Sequence, residues 1–498
     1  MIDSMEVGVG DLVRVVRTLL EDRNAVVLLV AGEDRPSTNT MYAHYLLGLR
    51  GAPWVLQHIS VALPRTASAI PSLAALSFPI SRFEREMRDL LGIIPEGHPD
   101  PRPLVRHGFW PESFHPLRSD AVAPEFADDG QPFPFTAVEG DGVYEIPVGP
   151  VHAGVIEPGH FRFNVLGETV LKMRARLYFT HKGTERLFVN KRAEDAVVLA
   201  ERVSGDTTVG HAVAFCQAVE SLGGLEIPDG AKAWRAVLLE LERVYNHITD
   251  AGAIIADTGF PVAQAHCMRL RERILRLNKT ITGSRLLRGA VIPGGVVVQM
   301  PDAAALVQEV ENVVSDFEEI IQISVENTLV ADRLDATGWL DPKVASDFGV
   351  VGYVARACGL SHDVRRDLPS GGYQWFDFAP IVEDGADVRA RLQMRVREAK
   401  QALYVIDQVL PRAASAHVSG DRLTLRPFTP SFGIVEAWRG RLVHMVMADD
   451  LGRLHRVKIV DPSFFNWPAL ARALEDNIVP DFPLCNKSFN QSYSGNDL

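Results

Sequence analysis

Three long amphipathic stripes place the tightest limit on how this chain can fold. From Lys232 to Thr258, Trp234, Val237, Leu238, Leu241, Val244, Tyr245, Ile248, Ala251 and Ile255 line one face of a helix. From Ala303 to Leu329 the same face is drawn by Leu306, Val310, Val313, Phe317 and Ile320. A third stripe alternates spacings of 4 and 3 through Leu392, Val396, Ala399, Leu403, Ile406 and Leu410. Helices of this length with one apolar face each must cover one another, which predicts a bundle. Strand signals are shorter and read as antiparallel. Val165 to Leu177 alternates about a Gly167-Glu168 turn, and further segments run over 422–426, Phe432–Trp438 and Arg441–Val446. The fold class is therefore α+β, a helical bundle flanked by small antiparallel sheets.

The chain divides by composition. Residues 1 to 118 read as a small α+β domain. An amphipathic helix runs over Val9 to Asp22, with Val9, Leu12, Val13, Val16, Leu19 and Leu20 on one face, followed by strands at Ala25–Ala31, Tyr42–Leu47 and His58–Leu63. Residues 119 to 142 form a linker. Asp120, Glu125, Asp128, Asp129 and Asp141 stand there among prolines and glycines, with no apolar period. Residues 143 to 498 are the main domain. A net charge of −12 argues against a general nucleic-acid binder. Met1 to Gly10 carries Asp3 and Glu6 without a basic region, so no signal peptide is expected. The longest apolar runs, Ala25–Ala31 and Gly289–Val298, are too short to cross a bilayer. Any membrane contact is then peripheral. The basic run from Arg269 to Gly289 reads as a helix face paired with the acidic helix before it.

Four cysteines, Cys216, Cys267, Cys358 and Cys485, lie far apart and form no C-x-x-C pair. They read as core residues of a reducing, cytosolic compartment, and they supply no four-cysteine set for an iron–sulfur cluster. No Gly-x-Gly-x-x-Gly follows a strand, so NADH is not expected to bind this chain. Electrons would have to come from a partner.

The chemistry centres on Glu201 to Glu220. Ser204-Gly205-Asp206-Thr207 reads as a tight turn opening a helix, with Thr207 or Thr208 placed to cap it and Ala212, Phe215, Cys216 and Val219 facing the core. This stretch resembles the Arg-x-Cys-Gly-x-Cys motif of NiFe hydrogenase large subunits. Arg202 and Gly205 match, and Ser204 and Thr207 stand where the motif has cysteines. Asp461-Pro462-Ser463-Phe464-Phe465-Asn466 reads as the counterpart of that family's C-terminal Asp-Pro-Cys-x-x-Cys, again without thiols. No histidine follows Asn466, so maturation cleavage is not expected. Oxygen and amide donors do not replace the soft thiolates that nickel and iron require.

Other motifs resemble subunits of respiratory complex I. Glu84-Arg85-Glu86, Asp89, Gly92-Ile93 and Gly97-His98-Pro99-Asp100, closing at Pro116-Leu117-Arg118, match the 30-kDa subunit, where they build a docking surface. Read from the residues alone, this is a solvated charged helix and a rigid loop. Gly149-Pro-Val-His152-Ala-Gly154, Glu157-Pro-Gly-His-Phe-Arg162, His181-Lys-Gly-Thr-Glu185 and Glu240-Leu-Glu-Arg-Val-Tyr-Asn-His247 are similar to the 49-kDa subunit. The whole chain resembles a fusion of the two, the arrangement of membrane-bound group 4 NiFe hydrogenase large subunits such as that of formate hydrogenlyase. The resemblance implies an electron-transfer subunit, peripheral on the inner face of the cell membrane, bound to an iron–sulfur small subunit and to membrane subunits. It implies a quinone headgroup site at His152. The family's quinone-binding tyrosine and aspartate fall on Gly205 and Ser204, leaving Asp206 one place away for a proton role. His152 and Asp206 are the catalytic candidates. His152, Arg202, Ser204, Thr207, Asp461 and Ser463 are the binding candidates, with quinone as cofactor and no NiFe centre. A scaffold subunit without chemistry is the rival reading. A third is a hydrogenase holding metal through Asp461, His211 and Glu185.

Overall fold

The computed structural model describes residues 2–127, 130, 133–154, 156–413 and 423–498. In the N-terminal part, strands Ala25–Arg35, Thr40–Leu49 and Val55–Pro64 pair antiparallel, and Ile2–Glu6 adds in parallel to the last of them. The strands expected from apolar content are present but longer. Ile2–Glu6 has no apolar run and carries no comparable signal. The Val9–Asp22 stretch is helical throughout, with α-helix at Leu12–Arg17 and Leu12, Val16 and Leu19 buried.

Helix Phe78–Leu91 covers this sheet. It stops at Gly92 (φ 74°), a left-handed position where a side chain would also strike His115. Its carboxylates correct the solvated-face expectation, since Glu84, Glu86 and Asp89 are all buried. Glu84 accepts from Ser72 Oγ at 2.6 Å and Leu73 N at 2.6 Å. Asp89 accepts from the amides of Leu104 (2.7 Å) and Val105 (2.8 Å), pinning the following loop. Buried carboxylates are tolerated because each finds donors the backbone would otherwise leave unpaired.

The main part opens with strands Val143–Val148, His160–Leu166 and Thr169–Arg176, turning at Gly167-Glu168 as the alternation predicts. The bundle is built on helix Asp229–Asp257, which packs against Pro261–Thr282, Val388–Val409 and the helix Thr208–Gly223. Ala303–Glu326 completes it. The basic helix face pairs forward: Arg273 holds Glu309 (2.9 Å) and Asp316 (3.2 Å) on the following acidic helix, not the preceding one. The reason is geometric, since the preceding helix turns its charges inward. Strands Ser431–Ala437, Gly440–Ala448 and Leu454–Val460 form a second antiparallel sheet under helix Thr208–Gly223. A side chain at Gly433 would overlap the carbonyl of Ala214, so glycine allows this close approach. The strand expected over 422–426 starts outside the described residues, and Leu423–Arg426 is irregular.

The two parts meet through a buried interface. Lys458 Nζ lies 2.7 Å from Glu86 and 3.0 Å from Glu185, and Arg456 Nε donates to Gly32 O at 2.8 Å. Phe83 stacks on Phe464 at 4.5 Å. The described residues of 119–142 hold no helix or strand, while Asp128 and Asp129 lie outside them. Limited proteolysis is therefore expected to cut first between Ser119 and Gly142. The two fragments should then co-elute on gel filtration, held by the buried contacts. Separate elution, or a first cut within Asp229–Asp257, would contradict this.

Candidate functional site

The Ser204–Thr207 turn is fastened from three directions. Arg439 grips Asp206 in a bidentate pair, both contacts 2.6 Å. Trp438 Nε1 donates to Asp206 O and to Thr207 Oγ1, each at 3.1 Å. Asn246 Nδ2 donates to Asp206 O at 2.8 Å. Thr207 is the first flanking residue of the helix, but its hydroxyl donates to Asp206 Oδ1 (3.0 Å) and does not cap. Glu242 does so from the neighbouring helix, accepting from the amides of Val209 (2.7 Å) and Gly210 (3.0 Å). Neither threonine serves as the cap expected from sequence, because a carboxylate from the bundle already occupies that place. Ala212, Phe215, Cys216 and Val219 are buried as expected.

Across the turn stands the end of the chain. Ser204 Oγ lies 2.8 Å from Ser492 Oγ, and Ser492 Oγ lies 3.3 Å from Ser494 Oγ. Ser492 begins the short helix Tyr493–Asp497 and accepts from Gly495 N at 2.9 Å. Ser492 and Gly495 thus have the three-residue spacing assigned above to Ser463 and Asn466. Those two residues sit one layer back. Ser463 Oγ accepts from Ser492 N at 2.9 Å. Asn466 is taken up by both backbone groups of Val351, at 2.9 and 3.1 Å. The Asp461-Pro462 pair drew the assignment because it matches Asp-Pro. Ser492-Tyr-Ser-Gly495 offers the same three-residue spacing in direct contact with Ser204.

Asp461 supports this layer. It accepts from Ser463 N at 2.8 Å and lies 3.1 Å from His211 Nε2, whose Nδ1 is 3.0 Å from His444 Nε2. Burial works to raise the Asp461 carboxyl, but the His211 contact and Arg439 outweigh it and hold it low. Burial keeps His444 neutral, well below the ordinary imidazole range. Glu185 does not join them, since it is held by Arg456 at 2.6 Å and Lys458 at 3.0 Å, so the Asp461–His211–Glu185 metal set does not converge. Burial likewise works to raise Asp206, but Arg439 holds its carboxyl low. A carboxylate so held organises the turn and is poorly suited to cycle a proton. Arg202 is turned outward, exposed, donating to Val198 O at 2.8 Å.

His152 lies on the Gly149–Gly154 loop at the partly open edge of this cluster. Its Nε2 is 3.3 Å from Tyr493 Oη, and Tyr493 packs edge-on to Trp467 at 4.7 Å. Burial lowers the His152 imidazole and raises the Tyr493 phenol, so at neutral pH both are uncharged and one donates to the other. Val151 and Ile156 stand exposed beside them. Tyr493 escaped the sequence analysis because it belongs to the C-terminal segment, far along the chain from His152.

A hydrogen-bonded turn facing a chain terminus, mounted on a helical bundle with a docked α+β domain, defines a large-subunit core of the hydrogenase and complex I class. Comparison with known proteins agrees. Residues 5–127 match the family described as respiratory-chain NADH dehydrogenase, 30 Kd subunit, and residues 257–430 match the 49 Kd subunit. The chain is 31% identical to formate hydrogenlyase subunit 5 of Escherichia coli (strain K12), over 99% of this chain and 88% of that protein. It is 30% identical to hydrogenase-4 component G of the same organism, over 97% and 86%. A subunit of the archaeal membrane-bound sulfane sulfur reductase, a respiratory membrane complex, superposes with a TM-score of 0.66 at 26% identity, over 72% of this chain and 99% of that one. The chain belongs to the family of formate hydrogenlyase subunit 5, in which 30-kDa-like and 49-kDa-like parts are fused. No helix among the described residues is long and apolar enough to cross a membrane.

The Glu242 cap carries a pH signature. Burial pushes its carboxyl up to about 8, against the opposing pull of the Val209 and Gly210 amides. The folded state then holds a proton that the unfolded state releases near pH 4.5. This contribution to stability is full below that point and is lost as pH rises toward 8. Glu242→Gln is expected to lower stability at pH 5 by about 1–3 kcal/mol, through one buried amide left unpaired. It should also flatten the decline in thermal midpoint between pH 5 and 8. Parallel wild-type and variant profiles would contradict the assignment.

Proposed function

We propose that this chain is the catalytic-core subunit of a membrane-associated, complex-I-like oxidoreductase, peripheral on the inner membrane face, that delivers electrons to a quinone without a nickel–iron centre. The observation that carries the quinone reading is the His152–Tyr493 pair. It sets an imidazole and a phenol, hydrogen-bonded to each other at 3.3 Å, at the edge of a buried polar cluster, beside exposed apolar side chains. The family's quinone tyrosine is absent at Gly205, and Tyr493 offers a phenol from the opposite segment. Reduction of a quinone to its quinol takes two electrons and two protons. The electrons come from an iron–sulfur partner, because the four cysteines of this chain are buried and dispersed. The one N–H or O–H of the pair not spent on their mutual hydrogen bond donates to a quinone carbonyl, and solvent at the open loop replaces any proton it gives.

The donor set does not fit nickel and iron. Ser204, Thr207 and Ser492 present hydroxyls, and Gly495 presents no side chain. A side chain at Gly495 would press on the carboxylate of Asp461. Ser204 and Ser492 bind each other directly, so the two segments are joined by a hydrogen bond where the resemblance implies bridging metal.

His152→Ala and Tyr493→Phe should each weaken quinone affinity by up to roughly tenfold, the value of one buried neutral hydrogen bond. The purified complex should keep its subunit composition. Steady-state quinone kinetics check this. Unchanged kinetics in both variants would favour the scaffold reading, and loss of assembly with His152→Ala would make the histidine structural.

A further inference from the structure

A cavity of about 900 Å³ lies between the N-terminal sheet and the main part. Its volume is in the range of small-molecule sites. Among its described lining residues Asp100 and Asp347 are the only carboxylates, and Asp100 is already held by Arg85 (2.9 Å) and Arg102 (2.8 Å). Arg82, Arg174 and Arg176 line the same end, and none has a carboxylate within 4.0 Å among the described residues. Arg243, Arg356, Arg365, Arg395 and Arg439 each hold an acid, whereas buried Arg391 and Arg441 donate to backbone carbonyls. A buried guanidinium without a counter-charge is costly unless an anion joins it.

Three further observations point to an occupant. Arg176 is almost wholly buried; its Nη1 and Nη2 donate to the carbonyls of Leu104, Val105 and Arg106, while its Nε, like Nη2 of Arg174, has no hydrogen-bond partner among the described residues. Tyr178 lies beside Arg82 with its phenol buried and without a hydrogen bond of ordinary geometry. Its backbone is left-handed (φ 71°), a conformation that a bulky residue keeps only where the surroundings hold it there. Part of the remaining wall is apolar, alongside polar residues such as Arg85, Lys172 and Arg441. Phe133 lies under the Arg176 guanidinium at 4.4 Å, and Leu104, Trp467 and Pro468 continue the lining.

We propose that this cavity binds a phosphate ester with an apolar body, its phosphate received by Arg82, Arg174, Arg176 and the Tyr178 hydroxyl. Planar guanidinium groups match phosphate oxygens in paired hydrogen bonds, and the phenol adds a neutral donor. The aromatic and proline wall takes the apolar body. Arg82 also donates to Asn496 Oδ1 at 3.1 Å, linking this end of the cavity wall to the C-terminal segment.

Isothermal titration of the purified full-length chain with inorganic pyrophosphate and with dihexanoyl phosphatidylglycerol tests this. Dihexanoyl phosphatidylcholine is the zwitterionic control. At least one anionic probe should bind. Arg176→Gln and Arg174→Gln should each weaken it about tenfold or more, and Arg276→Gln, on an exposed helix face, should not. Arg174 is only half-buried, so its variant remains informative if Arg176→Gln fails to fold. Pyrophosphate binding without lipid binding supports a free organic phosphate, and tighter lipid binding supports a headgroup. Failure of both probes, equal affinities in both cavity variants, or capture of an oligoglutamate peptide alone would overturn the proposal.

Discussion

The bidentate pair between Arg439 and Asp206 is the contact on which the site depends. It ties the turn before the helix Thr208–Gly223 to the sheet beneath, and Arg439 Nε also holds Asn490 O at 2.6 Å at the start of the C-terminal segment. One guanidinium thus sets the separation between Ser204 and Ser492. Taking such a pair out of water is expensive, and further hydrogen bonds from Ser204 and Thr207 offset that penalty. Removing Arg439 alone would leave a carboxylate among hydroxyls and an indole with nothing to balance it.

The same logic runs through the interface between the two parts. Lys458 sits between Glu86 of the N-terminal helix and Glu185 of the main part, with Arg456 alongside. Burial pushes Glu86 up, while Arg456 and Lys458 hold Glu185 low despite its burial. A charged set of this kind discriminates against misdocking, because any displacement strands a buried ion. The two halves are connected by an irregular stretch, yet they are positioned by chemistry that neither completes alone.

Much of this was legible in the chain. The stripe through Trp234, Leu241 and Ile248 placed the central helix, and the Gly167-Glu168 turn placed a hairpin, because burial periodicity and turn chemistry are local. Strand Leu454–Val460 was not marked, since Arg456 and Lys458 interrupt its apolar pattern and are buried only by virtue of Glu185 and Glu86. The carboxylates of helix Phe78–Leu91 misled for the same reason: their partners come from other elements. At the site, Ser204 and Thr207 were found from their neighbours Arg202 and Gly205. Ser492 and Tyr493 were not, because their meeting with Ser204 and His152 is set by tertiary packing and leaves no local mark.

The central claim is that hydroxyls closing on one another have taken the place of thiolates closing on metal. Elemental analysis of the native complex, purified with its partners and normalised to this chain, tests it most directly. The account predicts nickel close to zero per chain in preparations that still reduce an acceptor. Nickel approaching one per chain would contradict it.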